Sequence, residues 1–337
     1  MKILFIGGTG TISYGITKHL QGKNVELTLL NRGQRDTRDL EGFETIVGDY
    51  HNEVEMANLL RGRTFDVVVS FIAFTLEDVK RDYRLFKDIT KQYIFISTAS
   101  AYHKPLRNPV ITESTLLHNP YWEYSRNKIA CEKWLLEVYK EEGFPVTIVR
   151  PSHTYGDTSV PTAIHGHIGS WSVVERIRKG LPVIIHGDGS SLWTLTHTLD
   201  FAKGFVGLLG NFETIGQVYH ITSDESLTWT QIYEIIANKF GVKLNPCYVS
   251  SDLLSKLGNQ MGYDFEGGLL GDKSHSVIFD NSKIKEVSPG FVATIKFHQG
   301  VSQTIDYILK HPKYQLKDPE FDDFCDQVAA LMGNVEL

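Results

Sequence analysis

The sequence predicts an α/β fold, a doubly wound parallel sheet followed by a smaller, mixed α/β C-terminal substrate domain. Three observations predict it. Short β-branched runs alternate with amphipathic helical stretches through the first half, the pattern of βαβ units. A glycine-rich turn follows the first of those runs. The chain has 337 residues, and at roughly 150 residues per domain that length suits two domains or one large α/β unit.

Strands are expected at Lys2–Ile6, Val25–Leu30, Thr45–Val47, Val67–Phe71, Tyr93–Ser97 and Val146–Val149, with helices over 10–21, 52–61, 76–90 and 120–142. The last of these carries Ile129, Trp134, Leu135 and Val138 on one stripe. Right-handed crossovers build such a string into a sheet covered on both faces. After Pro151 the regularity fades and Gly, His and Trp become frequent. Helices are expected at 170–179, 199–210, 229–240 and 298–310, with strands near Val183–Ile185 and Gln217–Ile221. This divides the chain into a sheet domain of 1–151 plus about 192–222, a substrate domain of about 152–191 and 223–311, and a tail at 312–337 with a possible helix.

Composition narrows the function. There are 34 Lys+Arg against 40 Asp+Glu, a net charge of −6, whereas binding to a phosphate backbone normally calls for a basic surface. Apolar residues make up 42% and charged ones 22%, as in ordinary globular proteins. No apolar run approaches the ~20 residues of a membrane span, and MKILFIGGTG reads as a strand entering a loop rather than a signal peptide. Cys131, Cys247 and Cys325 follow no metal-type spacing, which points to reduced thiols in a cytoplasm.

The turn GGTGTIS, with Gly7, Gly8, Thr9, Gly10, Thr11 and Ile12, stands where a helix opens. Glycines there admit a pyrophosphate to the backbone, and the helix N-terminus meets its charge. A strand before, a helix after and a second strand at the right distance favour a dinucleotide site over a plain turn. Ser13 takes the place of a third glycine and is small enough to be tolerated. Where NAD sites usually present a carboxylate, this chain has Asn31 and Arg32, which favours NADP slightly over NAD. Arg35 and Arg38 lie just beyond; the alternative is a solvated loop, partly neutralised by Asp36 and Asp39. Asp49 is placed either to accept from the adenine amino group or to cap the helix from Asn52.

Tyr124 and Lys128 in YSRNK lie four apart, on one helical face. An ammonium beside a phenol favours the phenolate and is expected to lower a pKa otherwise near ~10, making Tyr124 a usable acid/base. Such pairs are common on helix surfaces, so the weight of this one comes from its place on the helix after a strand that ends over the cofactor.

The motifs GGTGTIS, VVVSFIAF, FISTASAY, YSRNK, VRPSHTYGD, HGDGSSLWTLTHTLDFA and VIFDNSKIKE, in this order over roughly residues 1–310, resemble the extended short-chain dehydrogenase/reductases, the NAD-dependent epimerase/dehydratase family. The resemblance implies a Rossmann-type fold and reversible hydride transfer at a carbinol carbon. Thr98 would join Tyr124 and Lys128 in catalysis, with Ser97 and Ser100 as near alternatives. Lys128 would also hold the nicotinamide ribose, Phe71, Ile72 and Ala73 would pass along the cofactor, and Pro151 and Ser152 would border the nicotinamide. A homodimer through the helices near 76–90 and 120–142 is also implied.

Departures from the family pattern bear on the substrate. Dehydratases place an Asp-Glu pair after the catalytic Thr; here stand Ala99 and Ser100, so dehydration is not expected. His153 occupies the place of a substrate-facing Asn, and Trp193 that of an Arg which grips the substrate diphosphate. An indole has a single N–H and no charge. The expected substrate-side residues are therefore Ser100, His153 and Trp193, and the expected substrate a small molecule, either a sugar or sugar nucleotide or, alternatively, a non-nucleotide carbonyl. His165 and His167 with His153 and Asp157 suggest a metal only weakly, and none is expected. His197 and Asp200 read as structural, and Trp171, Trp193 and Trp229 as core or cleft wall. A different class of function, a cofactor-binding, RNA-associated or regulatory protein without turnover, is opposed by the net charge and by the retained Thr98, Tyr124 and Lys128.

Overall fold

In the computed structural model, which describes residues 1–33 and 40–333, seven parallel strands form one sheet in the order β3-β2-β1-β4-β5-β6-β7. They are β1 (Lys2–Ile6), β2 (Glu26–Asn31), β3 (Glu44–Val47), β4 (Val67–Ser70), β5 (Tyr93–Ile96), β6 (Val146–Pro151) and β7 (Val218–Ile221). The doubly wound sheet expected from the alternating pattern is present. Arg35, Asp36, Arg38 and Asp39 lie outside the described residues.

Central strands are buried on both faces, and that is why they read as continuous apolar runs rather than alternating ones. In β1, Ile3 and Phe5 enter one core while Leu4 and Ile6 enter the other. The first core is closed by α1 (Thr11–Leu20) and α6 (Thr198–Val206), through Ile16, Leu20, Phe201 and Phe205. These two helices touch closely at Gly15, where a Cβ would collide with the Thr198 side chain. The other face carries α2 (Glu53–Leu59), α3 (Leu76–Phe86) and α4 (Glu123–Glu142). Thr75 caps α3 and Gly143, at φ +75°, ends α4.

A third core gathers α5 (Trp171–Arg178), α7 (Trp229–Lys239), α11 (Phe297–Lys310) and α12 (Pro319–Gly333) around Trp171, Trp193 and Trp229. The sequence reading left 250–290 without elements; it holds α8 (Ser251–Gln260), α9 (Phe265–Gly268), a π-helical turn at Leu269–Lys273 and α10 (Ser282–Val287). These pieces are short and their apolar residues reach different neighbours, so no single period marks them. The terminal stretch is not an appendage either. Phe321, Phe324, Cys325 and Val328 of α12 are buried in this third core, and Arg176 of α5 pairs with Asp322 and Asp326. Prolines and charges before α12 masked that amphipathic face.

All three cysteines are free thiols. No helix among the described residues is long and apolar enough to cross a membrane.

Candidate active site

Two clefts open along the carboxyl ends of the sheet strands, where open α/β sheets bind ligands. The larger, about 580 Å³, spans the switch point between β1 and β4. Gly7, Thr9, Gly10, Thr11 and Ile12 after β1, Asn31 and Arg32 after β2, Asp49 after β3, and Phe71 and Ile72 after β4 all line it. Gly7 adopts φ +84°, and a Cβ there would meet Ile72 at 2.5 Å, so the loop needs glycine for both conformation and space. Gly8 is buried against Leu29 and Ala73 is fully buried; neither lines the cleft.

Ser13 does more than fit the third glycine's place. Its hydroxyl donates to the Gly7 carbonyl and accepts from the Gly10 N–H, each at 2.9 Å, stapling the loop to the first turn of α1. No acidic residue stands in that turn, so its positive end faces the cleft unopposed. Asn31 accepts from Gly33 N at 2.8 Å, while its Nδ2 is buried without a partner among the described residues. Asn52, not Asp49, caps α2 by accepting from Glu55 N, which leaves Asp49 as a cleft-wall carboxylate that accepts from His51 N. The cradle, the helix end and the unused amide donor fit a dinucleotide.

The smaller cleft, about 350 Å³, lies over the ends of β5 and β6. Thr98, Ser100, Tyr124, Pro151, Ser152, His153 and Trp193 line it together. A hydroxyl chain runs from Thr98 Oγ1 to Ser100 Oγ at 2.9 Å and on to Ser125 Oγ at 2.7 Å. Ser97 points elsewhere: it donates to Glu132, the buried partner of Arg150 beneath the site. Of the three hydroxyls considered, Thr98 and Ser100 face the cleft.

Lys128 is fully buried behind the cleft wall. Its ammonium donates to the Ala73 and Ile96 carbonyls, each at 2.7 Å, and lies over the rings of Phe74 and Phe95 at 4.7 and 4.8 Å. Burial lowers its pKa to about 8. The expectation that Lys128 lowers the Tyr124 pKa needs correction. Burial raises Tyr124 above its ordinary value and a hydrogen bond with Thr98 draws it partly back. The Lys128 ammonium is 5.9 Å from the Tyr124 ring centre and turned toward carbonyls.

Burial, with Lys273 and His165 nearby, pushes His153 down to about 3, so the imidazole is neutral near neutral pH. Trp193 is 3% exposed and its Nε1 has no partner among the described residues. His165 bonds to the Gly166 carbonyl and His167 packs on Tyr263; among the described residues no group of three or more His, Cys, Asp or Glu could hold a metal. His197 caps α6 through Leu199 N, and Asp200 accepts from Ile295 N at 2.7 Å, both structural roles. Sequence reasoning missed Lys104, Trp122, Asp272, Lys273 and Phe279 in the smaller cleft. Lys104, Trp122, Asp272 and Lys273 arrive from segments with no motif of their own, whereas Phe279 falls within VIFDNSKIKE, a motif to which no site role was attached.

A model of the NAD dependent epimerase/dehydratase family matches residues 3–222. The chain is 22% identical over 255 residues to 2'-dehydrokanamycin reductase of Streptomyces kanamyceticus, covering 75% of this chain and 70% of that one. It is 23% identical over 253 residues to the chloroplast stem-loop binding protein of 41 kDa b of Arabidopsis thaliana, covering 71% and 63%. Its fold matches that of UDP-glucuronic acid 4-epimerase from Bacillus cereus, in complex with UDP-glucuronic acid and NAD, with a TM-score of 0.73 at 19% identity over 92% of this chain and 99% of that one. The glycine cradle, the strand order and the matched family model lead to one conclusion: the chain belongs to the NAD dependent epimerase/dehydratase family.

Proposed function

We propose that this chain is an oxidoreductase that binds NAD(P) in the larger cleft and interconverts a carbinol and a carbonyl on a small substrate in the smaller one. The observation that carries the reading is that Thr98 and Tyr124 line one pocket at the end of β5, beside the glycine cradle on the same edge of the sheet. Gly7 and Gly10 with the α1 N-terminus would hold the pyrophosphate, and Asn31 and Arg32 the adenosine ribose. When bound, the nicotinamide supplies or accepts the hydride.

The rest falls to the chain's own groups. In the reducing direction Tyr124, kept as the neutral phenol by burial, would give its hydroxyl proton to the carbonyl oxygen as the carbon receives the hydride, and in the reverse direction the phenolate so formed would take the carbinol proton. Thr98 would donate to the reacting oxygen, and the Ser100–Ser125 chain would hold Thr98 in place. Lys128 would keep the cofactor edge of the site positively charged. Ala99 and Ser100 provide no carboxylate for elimination, and the pocket's carboxylate, Asp272, is paired with Lys104, so dehydration is disfavoured.

Within this chemistry, reduction of a non-nucleotide carbonyl fits better than epimerisation of a sugar nucleotide. Trp193 stands where a diphosphate-gripping guanidinium is expected, and among the described residues no arginine lines the smaller cleft. The similarity to a protein named as a reductase of 2'-dehydrokanamycin supports the same choice. The similarity to a stem-loop binding protein supports a second reading, binding without turnover; the net charge of −6 opposes it.

The deciding experiment is mass spectrometry of molecules released on denaturation, together with calorimetric titration of NAD(H) and NADP(H). Binding of at least one is expected. Binding of neither removes the oxidoreductase reading, and tight, salt-sensitive binding of generic RNA in its place would put the second reading first.

A further inference from the structure

The inner wall of the smaller cleft carries charge that the proposed hydride transfer does not use. Lys104 leaves the strand-end segment that begins at Thr98, and its side chain is 0% exposed. Its ammonium has no hydrogen-bond partner among the described residues. The nearest carboxylate oxygen, Asp272 Oδ1, is 3.8 Å away, an ion-pair distance too long for a hydrogen bond. Beside it is Lys273, which lines the same cleft and whose ammonium has no ion pair or hydrogen bond among the described residues. Two ammonium groups thus face one carboxylate in a cleft of about 350 Å³.

This arrangement is built rather than incidental. Asp272 and Lys273 come from the π-helical turn Leu269–Lys273, an irregularity that is found frequently at functional sites. Asn119 fastens that turn to the catalytic segment, donating from Nδ2 to the Ser100 carbonyl at 2.8 Å and to the Gly271 carbonyl at 2.7 Å. On the other side the Lys273 carbonyl is held by His186 Nε2 and Ser191 Oγ, each at 3.0 Å. An unpartnered buried ammonium is costly in a folded protein unless something satisfies it. The fixed backbone prevents Lys273 from withdrawing its attachment point.

We propose that the substrate carries a carboxylate, held by Lys104 and Lys273, on the same small molecule whose carbinol or carbonyl oxygen meets Thr98 and Tyr124. This rests on the oxidoreductase reading for the second half only; the anion subsite stands on its own geometry. Charge counting selects a carboxylate over a phosphate ester. The wall sets two lysine side chains against one carboxylate, with His153 neutral, a formal balance of one positive unit that a monoanion matches and a phosphate dianion exceeds; burial raises Asp272 and lowers both lysines, so a bound anion favours their charged forms. The orphan Nε1 of Trp193 adds a neutral donor suited to a hydroxyl or carboxylate oxygen. The cleft volume is near the lower end of the ~300–1,000 Å³ range for ligand pockets, so the acid is a small one without a nucleotide.

The test is calorimetric titration of the cofactor-saturated protein with matched probes: D-glucuronate, D-glucose and D-glucose 6-phosphate, and in a second pair lactate against propane-1,2-diol. At least one acid is expected to bind tenfold or more tightly than its neutral counterpart. Lys104→Met and Lys273→Gln should each remove most of that preference while leaving NAD(P) affinity within twofold. Lys273→Gln keeps the test valid if Lys104→Met fails to fold. Neither acid exceeding its neutral partner, or an acid preference that both variants retain, overturns the proposal. Glucose 6-phosphate binding tenfold more tightly than glucuronate overturns the carboxylate assignment. Because the readout is binding, a lysine-dependent acid preference in a protein without turnover would uphold the subsite while refuting the oxidoreductase reading.

Discussion

Lys128 donates a 2.7 Å hydrogen bond from its ammonium to the carbonyl of Ala73, and so ties helix α4 to the segment that follows β4. A second donation reaches Ile96 at the end of β5. The lysine therefore supports the site's backbone as well as its charge. Lys128→Met should leave two buried carbonyls short of a donor, at about 1–3 kcal/mol each. Melting temperature, turnover and NAD(P) affinity should fall together. A variant that loses turnover with unchanged melting temperature would restrict the role of Lys128 to chemistry.

A second prediction concerns pH. Asp82 is completely buried and accepts from the Tyr50 and Tyr93 hydroxyls at 2.7 and 2.6 Å. Burial raises its pKa from 3.8 to about 6 despite those bonds. The folded chain then keeps a proton that the unfolded chain releases, so the stabilisation is complete below the unfolded value and is lost as pH rises through about 6. The difference amounts to about 3 kcal/mol. Asp82→Asn cannot ionise, so its stability relative to the wild type should rise by about that amount between pH 4 and pH 7 in urea denaturation. Parallel pH profiles would show that Asp82 titrates normally.

Arg32 tests the cofactor assignment. It is exposed on the wall of the larger cleft next to the unpartnered Asn31 amide, and a guanidinium there suits a 2'-phosphate. Arg32→Ala should weaken NADP(H) binding by roughly tenfold, the scale of a charge-assisted phosphate contact, and leave NAD(H) nearly unchanged. Equal losses for both cofactors in calorimetry would place Arg32 away from the 2' position.

The sheet and the cofactor cradle were legible because they are local. β1, the glycine turn and α1 are contiguous, and a buried parallel strand such as β4 declares itself as VVVS. Tyr124 and Lys128 were legible because one helix fixes their spacing. Lys104 and Asp272 were not: they are far apart in sequence, and only the Asn119 bridge between Ser100 and Gly271 brings their segments together. The Tyr124 pKa was misjudged for a related reason. Spacing gave the neighbour, whereas the direction of the shift depends on burial and on the Ala73 and Ile96 carbonyls that claim the ammonium.

Self-association is expected through α3 and α4. Tyr83 and Trp134 meet edge to face at 5.8 Å and, with Leu85, remain only half-buried on the outer surface of this helix pair. A two-fold axis there would cover the aromatic pair, in the commonest closed arrangement. Light scattering at micromolar concentration should give about twice the 38.1 kDa chain mass, and Trp134→Glu should return the monomer. A monomeric wild type would refute the interface.

The last prediction separates proton transfer from positioning. Tyr124 lines the smaller cleft, packs against Phe74 at 6.4 Å and Trp122 at 5.1 Å, and interacts with Thr98 through its hydroxyl. Phenylalanine keeps the packed ring and deletes the hydroxyl alone. General acid/base groups typically contribute ~10²–10⁴-fold to rate, so Tyr124→Phe should lose turnover by that range with NAD(P) affinity and melting temperature nearly unchanged. Thr98→Val removes one hydrogen bond to the reacting oxygen and should cost less. It also frees Ser100, which keeps its 2.7 Å bond to Ser125 and remains a hydroxyl near the substrate. Turnover should therefore follow the order wild type, Thr98→Val, Tyr124→Phe, with the double variant close to Tyr124→Phe if both hydroxyls act on one oxygen. Independent, multiplicative losses would mean that Thr98 acts elsewhere, and a Tyr124→Phe enzyme at full rate would remove Tyr124 from the chemistry.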